Sequence, residues 1–124
     1  MDMAHKILVV DDSAGTRAKV ISTLSPLGFE LMEAADGAEA LETLDGCAGV
    51  GLVLLDINMP RMDGLEMLKL MREREPLLGI PVVMMTTEAS PAYMRRAREL
   101  GAKAWLTKPL SDVVLQKAVK ALLQ

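Results

Sequence analysis

The stretch from Val50 to Gly64 constrains the fold most, because a buried strand ends there in an acid. Val50–Leu55 is an apolar run, which predicts a strand covered on both faces, as in a parallel sheet. Asp56 follows this strand directly, and a loop containing Pro60 comes next. Packing does not require an acid here, and open α/β sheets bind ligands outside the carboxyl ends of their strands. Asp56 is therefore the first candidate functional residue.

The rest of the chain alternates predicted strands with predicted helices. The predicted strands are Lys6–Val10, Phe29–Ala34, Val50–Leu55, Ile80–Met85 and Ala104–Thr107. The predicted helices run from Ala14 to about Ser25, Gly37 to about Leu44, Gly64 to about Arg74, Pro91 to Leu100 and Leu110 to about Leu123. Five such units predict an α/β fold in which a parallel sheet carries helices on both faces.

Helix starts and inward faces can also be predicted. The predicted N-caps are Ser13, Asp36, Asp63 and Ser90. The expected inward residues of the first helix are Ala14, Ala18, Ile21 and Leu24, and those of the last helix are Val114, Ala118 and Leu122. These faces would pack against the sheet.

Length and composition exclude several classes of protein. A chain of 124 residues predicts one domain, spanning residues 1–124. No apolar run approaches the roughly 20 residues of a membrane helix, and no signal peptide is visible, so we expect no membrane association. Cys47 is the only cysteine and cannot form an internal disulfide, which favours a cytoplasmic location. The net charge of −3 argues against nucleic acid as the main partner.

Polar residues follow four of the five predicted strands. Asp11 and Asp12 end the first strand, Asp56 the third, Thr86 the fourth and Lys108 the fifth. The carboxyl ends of parallel strands point to one edge of the sheet. We therefore expect three carboxylates, a hydroxyl and an ammonium group to converge there.

Such a cluster carries more negative charge than Lys108 alone can offset, so it calls for a cation. Oxygen ligands favour a hard ion that keeps several waters, Mg²⁺ or alternatively Mn²⁺. Asp56 beside such an ion, with Lys108 and Thr86 close by, is suited to accept a phosphoryl group as an aspartyl phosphate.

Four motifs, in this order and spacing, resemble the receiver domain of two-component response regulators, in particular the single-domain chemotaxis type. They are ILVVDDS at 7–13, LLDINMPRMDG at 54–64, MTTE at 85–88 and GAKAWLTKP at 101–109. The resemblance covers essentially the whole chain. It implies a flavodoxin-like (βα)5 fold with a parallel sheet in the order 2-1-3-4-5.

The resemblance also implies roles in phosphoryl chemistry. Asp56 would be the phosphoacceptor and Lys108 the cation that pairs with the phosphoryl group. Asp12, Asp56 and the backbone carbonyl of Asn58 would bind Mg²⁺ directly, and Asp11 would bind it through water.

Further positions match the switch of that family. Thr86 would be the switch hydroxyl and Trp105 the switch aromatic, although tyrosine or phenylalanine is more usual there. Asn58 and Glu88 would tune the hydrolysis of the phosphoryl group. Lys108–Pro109 would be a cis peptide.

We expect a signalling switch rather than a turnover enzyme. A histidine kinase would donate the phosphoryl group to Asp56, and a downstream target would bind the face formed by the fourth helix, fifth strand and fifth helix. Motor control in chemotaxis is the leading expectation for the output. A phosphatase is an additional partner that the resemblance allows, and the protein would be a monomer or a weak dimer.

Other functions remain open at this point. A phosphorelay intermediate or phosphate sink would use the same residues, and a receiver that is never phosphorylated would act as a binding module. A haloacid-dehalogenase-type phosphohydrolase would need an acid or threonine two residues after the nucleophile, where this chain has Asn58. A flavodoxin-like electron carrier would need a phosphate-binding loop where Asp11 and Asp12 stand.

Each residue also has a purely structural interpretation. Asp12 could cap the first helix, and Trp105 could fill the core. The basic residues Arg95, Arg96, Arg98 and Lys103 could form a solvated surface. Alternatively, together with Lys117 and Lys120, they could contact an acidic partner segment.

Overall fold

The computed structural model describes residues 5–87 and 90–123, in which strands and helices alternate. The strands are β1 (Lys6–Val10), β2 (Glu30–Ala34), β3 (Val50–Asp56), β4 (Val82–Thr86) and β5 (Ala104–Thr107). The helices are α1 (Ala14–Leu24), α2 (Gly37–Gly46), α3 (Gly64–Arg72), α4 (Pro91–Glu99) and α5 (Asp112–Leu123). Single 3₁₀ turns occupy Ser25–Leu27 and Glu75–Leu77.

The five strands form one parallel sheet in the order β2-β1-β3-β4-β5, which confirms the predicted fold class and strand order. β3 lies at the centre of the sheet. This position explains its uninterrupted apolar sequence, because both of its faces are covered by helices.

The two faces of the sheet carry separate cores, and β3 supplies alternate residues to each. Val53 and Leu55 pack with α2, α3 and α4 on one face. Leu52 and Leu54 pack with α1 and α5 on the other. All four side chains are fully buried, and each contributes about 1.5–3 kcal/mol of hydrophobic stabilisation.

The predicted inward face of α1 was wrong in its first half. Ala14 and Ala18 are exposed, whereas Val20 and Leu24 are buried. Arg17 occupies the inner stripe instead, with a side chain only 16% exposed. Its guanidinium group finds hydrogen-bond acceptors there, so an arginine is stable at a position that hydrophobicity alone assigns to solvent.

The predicted inner face of α5 was wrong at Val114, whereas Ala118 and Leu122 are partly buried and pack against the core as predicted. Leu115 and Val119 are buried, whereas Val114 is 50% exposed. Three consecutive apolar residues open this helix, so the sequence pattern allows more than one rotation about the helix axis. The contact with α1 selects one, because Gln116 donates a hydrogen bond to the carbonyl of Thr23 at 2.9 Å.

Smaller differences concern element ends. β4 starts at Val82 rather than Ile80, and α5 starts at Asp112 rather than Leu110. Leu110 is nevertheless buried and packs in the core shared by α1 and α5. Ser13, Asp36 and Asp63 accept hydrogen bonds from backbone N–H groups at the starts of α1, α2 and α3, as predicted for N-caps.

None of the helices in the described residues is both long enough and apolar enough to cross a membrane.

Candidate functional site

The register of the sheet brings the strand-end residues to the same level. Val10 pairs with Leu55, so Asp11 and Asp56, one residue further on, lie side by side. Thr107 at the end of β5 pairs with Thr86 at the end of β4, and Lys108 follows Thr107 directly. This edge of the sheet therefore gathers the acids and the lysine that the sequence places after separate strands.

Three carboxylates form one cluster at this edge. Asp11, Asp12 and Asp56 each offer an oxygen, and these oxygens lie within 4.8 Å of one another. Asp11 and Asp56 are buried, while Asp12 is exposed on the solvent side. An oxygen donor set with one open side fits a hard divalent cation that retains water.

Lys108 neutralises part of this charge. Its Nζ lies 2.7 Å from Oδ2 of Asp11 and 3.4 Å from Oδ1 of Asp56. Desolvation lowers the pKa of Lys108, but its hydrogen bonds and attraction to the two acids outweigh this effect, and the net pKa is raised. The lysine is therefore charged at neutral pH and offsets only one of three acids.

The carboxyl group of Asp56 is the most perturbed in the site. Burial and repulsion from Asp11 raise its pKa to about 6, against the opposing effects of Lys108 and a hydrogen bond from the backbone N–H of Asn58. Ionisation of Asp56 therefore costs free energy unless a further positive charge lies nearby. The chemistry of the donor set and this uncompensated charge both fit a bound divalent cation.

Asp11 is held in place from several directions. Its Oδ1 accepts a hydrogen bond from the backbone N–H of Ser13 at 2.9 Å. Its carbonyl accepts one from Nη1 of Arg17 at 2.6 Å, and Arg17 also pairs with Glu33 at 2.9 Å. Sequence reasoning missed Arg17. The available signal was an arginine four residues after the N-cap Ser13, on the inward side of α1.

The loop after β3 approaches the phosphoacceptor candidate closely. Gly64 donates a backbone hydrogen bond to the carbonyl of Ile57 at 2.8 Å, and a Cβ atom at position 64 would collide with the carbonyl oxygen of Asp56. Only glycine fits this position. Asn58 is exposed in the same loop.

The predicted switch residues lie on one face of the sheet. Thr86 is fully buried at the end of β4, and its carbonyl accepts a hydrogen bond from the N–H of Lys108 at 2.7 Å. Trp105 pairs with Met84, two residues before Thr86, so both side chains point to the same face. Glu88 lies outside the described residues. The Lys108–Pro109 peptide is cis.

Trp105 is half-buried between the core and a small cavity. The cavity has a volume of about 150 Å³ and lies between α4 and β5, with Met94, Ala97 and Arg98 on the helix side. Arg98 and Lys103 are exposed and line it, and Arg95 and Arg96 are exposed on the same helix as Arg98. The structure thus places the predicted switch aromatic beside a basic surface.

The sequence model of the response regulator receiver domain matches residues 7–120. The chain belongs to the receiver domain family. This assignment agrees with the sheet order and with the cluster of acids at the carboxyl edge.

Several receiver proteins are similar to this chain over nearly all of their length. Chemotaxis protein CheY1 of Helicobacter pylori is 39% identical over 119 residues, which is 95% of this chain and 96% of that protein. The chemotaxis protein CheY homolog of Campylobacter jejuni is 35% identical over 95% of this chain and 92% of its own.

Solved structures show the same fold. Chemotaxis protein CheY4 of Vibrio cholerae superposes with a TM-score of 0.91 at 36% identity, covering 98% of this chain and all of that one. The signal receiver domain of a histidine kinase from Syntrophus aciditrophicus gives a TM-score of 0.87 at 33% identity, with 97% and 90% coverage. A chemotaxis protein and a receiver domain of a histidine kinase therefore share the fold of this chain.

Proposed function

We propose that this receiver domain is a phosphorylation-activated switch of a two-component system and that Asp56 is its phosphoacceptor. The observation that supports this most is the placement of a buried carboxylate at the end of the central strand. Lys108 lies 3.4 Å from it, and oxygens of Asp11 and Asp12 lie within 4.8 Å.

The reaction joins an oxygen of Asp56 to phosphorus. A histidine kinase carrying a phosphohistidine docks near α1, and the Asp56 carboxylate attacks its phosphorus. The P–N bond breaks, its electron pair stays on the imidazole, and the imidazole takes up a proton. Lys108 then pairs with the phosphoryl oxygens, and water later hydrolyses the acyl phosphate to restore Asp56.

The cation that fits this site is Mg²⁺, with Mn²⁺ as an alternative. Asp12, Asp56 and the carbonyl of Asn58 would hold it, with Asp11 acting through water. When bound, it supplies positive charge to the transferring phosphoryl group. Lys108, whose Nζ lies 3.4 Å from Oδ1 of Asp56, would contribute a second positive charge.

The output of the switch is a change in binding. Thr86 moves toward the phosphoryl group and donates a hydrogen bond to it, and the surface formed by α4, β5 and α5 repacks around Trp105. A shift from mostly inactive to mostly active needs up to about 5.5 kcal/mol of differential stabilisation. Asn58 and Glu88 tune how long the phosphoryl group persists.

A chemotaxis-type output is the leading proposal, because two chemotaxis proteins match this chain over nearly their whole length. A role as phosphorelay intermediate is the second candidate, since a receiver domain of a histidine kinase is similar at 33% identity. In either role the domain has no turnover on an external substrate.

Intact-mass spectrometry after incubation with acetyl phosphate tests the proposal. We expect one added phosphoryl group that requires both Mg²⁺ and Asp56, so Asp56→Asn should remain unmodified. Asp45→Asn is the matched control, because Asp45 is an exposed acid in α2 that pairs with Arg74. The proposal fails if Asp56→Asn gains the same mass, or if the folded wild type binds neither phosphoryl nor beryllofluoride.

A further inference from the structure

We propose that Arg61 is a positioning residue for the chemistry at Asp56. Its ion pair with Asp36 at the start of α2 holds the loop between β3 and α3, so that Asn58, whose carbonyl is proposed to bind the cation, keeps its position beside Asp56. This inference rests on the proposed function of Asp56 and adds a residue that acts on it from outside the site.

Arg61 has an unusual backbone conformation. Its φ is 68°, and it is the only non-glycine residue with positive φ in the ranges 5–87 and 90–123. A side chain makes this left-handed conformation unfavourable, so surrounding contacts must maintain it. The side chain of Arg61 provides such a contact.

The partner of Arg61 is a fixed carboxylate. The Asp36 residue is only 7% exposed, and it caps α2 by accepting a hydrogen bond from the N–H of Glu39 at 2.8 Å. The other oxygen of Asp36 pairs with Nη2 of Arg61, whose side chain is 75% exposed. The mobile partner is therefore the arginine, and the anchored partner is the aspartate.

A second contact fixes the same loop to the same helix. Met62 packs against Gly37, where an added Cβ would lie only 2.7 Å from the sulfur of Met62. The N–H of Met62 also donates to the carbonyl of Pro60 at 2.7 Å, which makes a tight turn around Arg61. The loop tip is thus attached to α2 by two consecutive residues.

The loop connects this attachment to the phosphoacceptor. Asn58 lies two residues after Asp56, its carbonyl is a proposed ligand of the cation, and only Met59 and Pro60 separate it from Arg61. Met59 is buried and anchors the middle of this segment, with Asn58 on one side and Arg61 on the other. Release of Arg61 should remove the restraint on its side of Met59 and allow the carbonyl of Asn58 to shift relative to Asp56. Residues that orient a ligand from the outer shell of a metal site have large effects on it.

Two substitutions distinguish the effect of the ion pair from the effect of backbone strain at Arg61. Arg61→Gly removes the pair but tolerates the positive φ, and Asp36→Asn removes the charge but keeps a good N-cap. We expect each to raise the Mg²⁺ dissociation constant and to change the lifetime of the phosphoryl group by up to about 10-fold, the lower end of the range for residues that directly support a metal ligand. The double variant should resemble either single variant, and Arg61→Lys should recover part of the wild-type values.

The control is an ion pair of similar type that does not touch the loop. Arg74 and Asp45 lie 2.7 Å apart and join the segment after α3 to the last turn of α2. Arg74→Ala and Asp45→Asn should leave the Mg²⁺ constant and the phosphoryl lifetime unchanged, whatever they do to the unfolding midpoint.

The inference would be overturned if Arg61→Gly bound Mg²⁺ and retained the phosphoryl group as the wild type does. Fully additive effects in the double variant would also overturn it. An unphosphorylated wild type would instead refute the proposed function. In that case the Mg²⁺ titration of the same variants still decides whether Arg61 positions the loop.

Discussion

At the scale of single residues, the site is defined by a carboxylate whose charge is not fully compensated. Asp56 is 3% exposed, and desolvation by burial together with repulsion from Asp11 raises its pKa against the opposing effects of Lys108 and Asn58. A buried carboxylate in this environment favours a bound cation, as the proposed phosphoacceptor role requires. The same environment makes the unphosphorylated, metal-free protein less stable when Asp56 is ionised.

Asp56→Asn should therefore stabilise the metal-free protein. The pKa of Asp56 is about 6 when folded and near 3.8 when unfolded, so ionisation opposes folding. This penalty is absent below pH 3.8 and complete above about pH 6. We expect Asp56→Asn to raise the free energy of unfolding by about 1–3 kcal/mol at pH 8 and to have little effect near pH 4.

Urea denaturation in the presence of a chelator, at both pH values, measures this difference. The exposed acid Asp45 supplies the control, because Asp45→Asn should show no comparable pH-dependent gain. If Asp56→Asn were less stable than the wild type at pH 8, the prediction that ionisation of Asp56 opposes folding would be wrong.

At the scale of elements, helix rotation was the property that the sequence predicted least well. The start of α5 offers Val113, Val114 and Leu115 in succession, and hydrophobicity does not distinguish among them. Contacts between α1 and α5 do, since Thr23 and Gln116 are hydrogen-bonded and Thr23 also reaches Asp112 at 3.1 Å. Polar contacts between helices thus selected the buried face.

The burial of Leu115 and the exposure of Val114 predict unequal losses of stability when each residue is replaced by alanine. Leu115 is 1% exposed, so Leu115→Ala should cost about 2–5 kcal/mol of stability by leaving a cavity. Val114 is 50% exposed, so Val114→Ala should change stability by less than about 0.5 kcal/mol. Thermal or urea unfolding compares the two variants directly. Equal losses would mean that α5 is rotated differently from the structure.

At the scale of the whole molecule, the parallel sheet places its excess negative charge at one edge. The strands β1 and β3 end there in acids, and Lys108 after β5 compensates only in part. A cation bound at this edge therefore links strand ends that are far apart in the sequence. Binding to the folded state alone raises its stability by mass action.

Magnesium should accordingly raise the unfolding midpoint. Above the dissociation constant, each tenfold increase in Mg²⁺ should add about 1.4 kcal/mol to the free energy of unfolding. The effect should weaken as the pH falls below the Asp56 pKa of about 6, because a protonated carboxyl group is a poor ligand.

Asp12→Asn is the informative variant, since Asp12 is exposed and its loss should leave the fold intact. Thermal unfolding of this variant should respond little to Mg²⁺. An undiminished response would place the cation elsewhere.

The sequence by itself determined the fold class, the sheet edge that carries the site and the residues gathered there. Apolar runs, helix caps and strand-ending acids are local signals, and parallel strands convert them into one cluster without further information. Asp36 was predicted as a helix cap for the same reason.

Only the tertiary structure decided which helix faces are buried and which distant residues support the site. Arg17 on the inner side of α1, and Arg61 paired with Asp36, are examples. An arginine looks solvent-exposed in any hydrophobicity pattern, and its partner lies on another element. Such contacts depend on how strands and helices are packed: the spacing in α1 could place Arg17 on its inward side, but it did not identify the groups that Arg17 or Arg61 contacts.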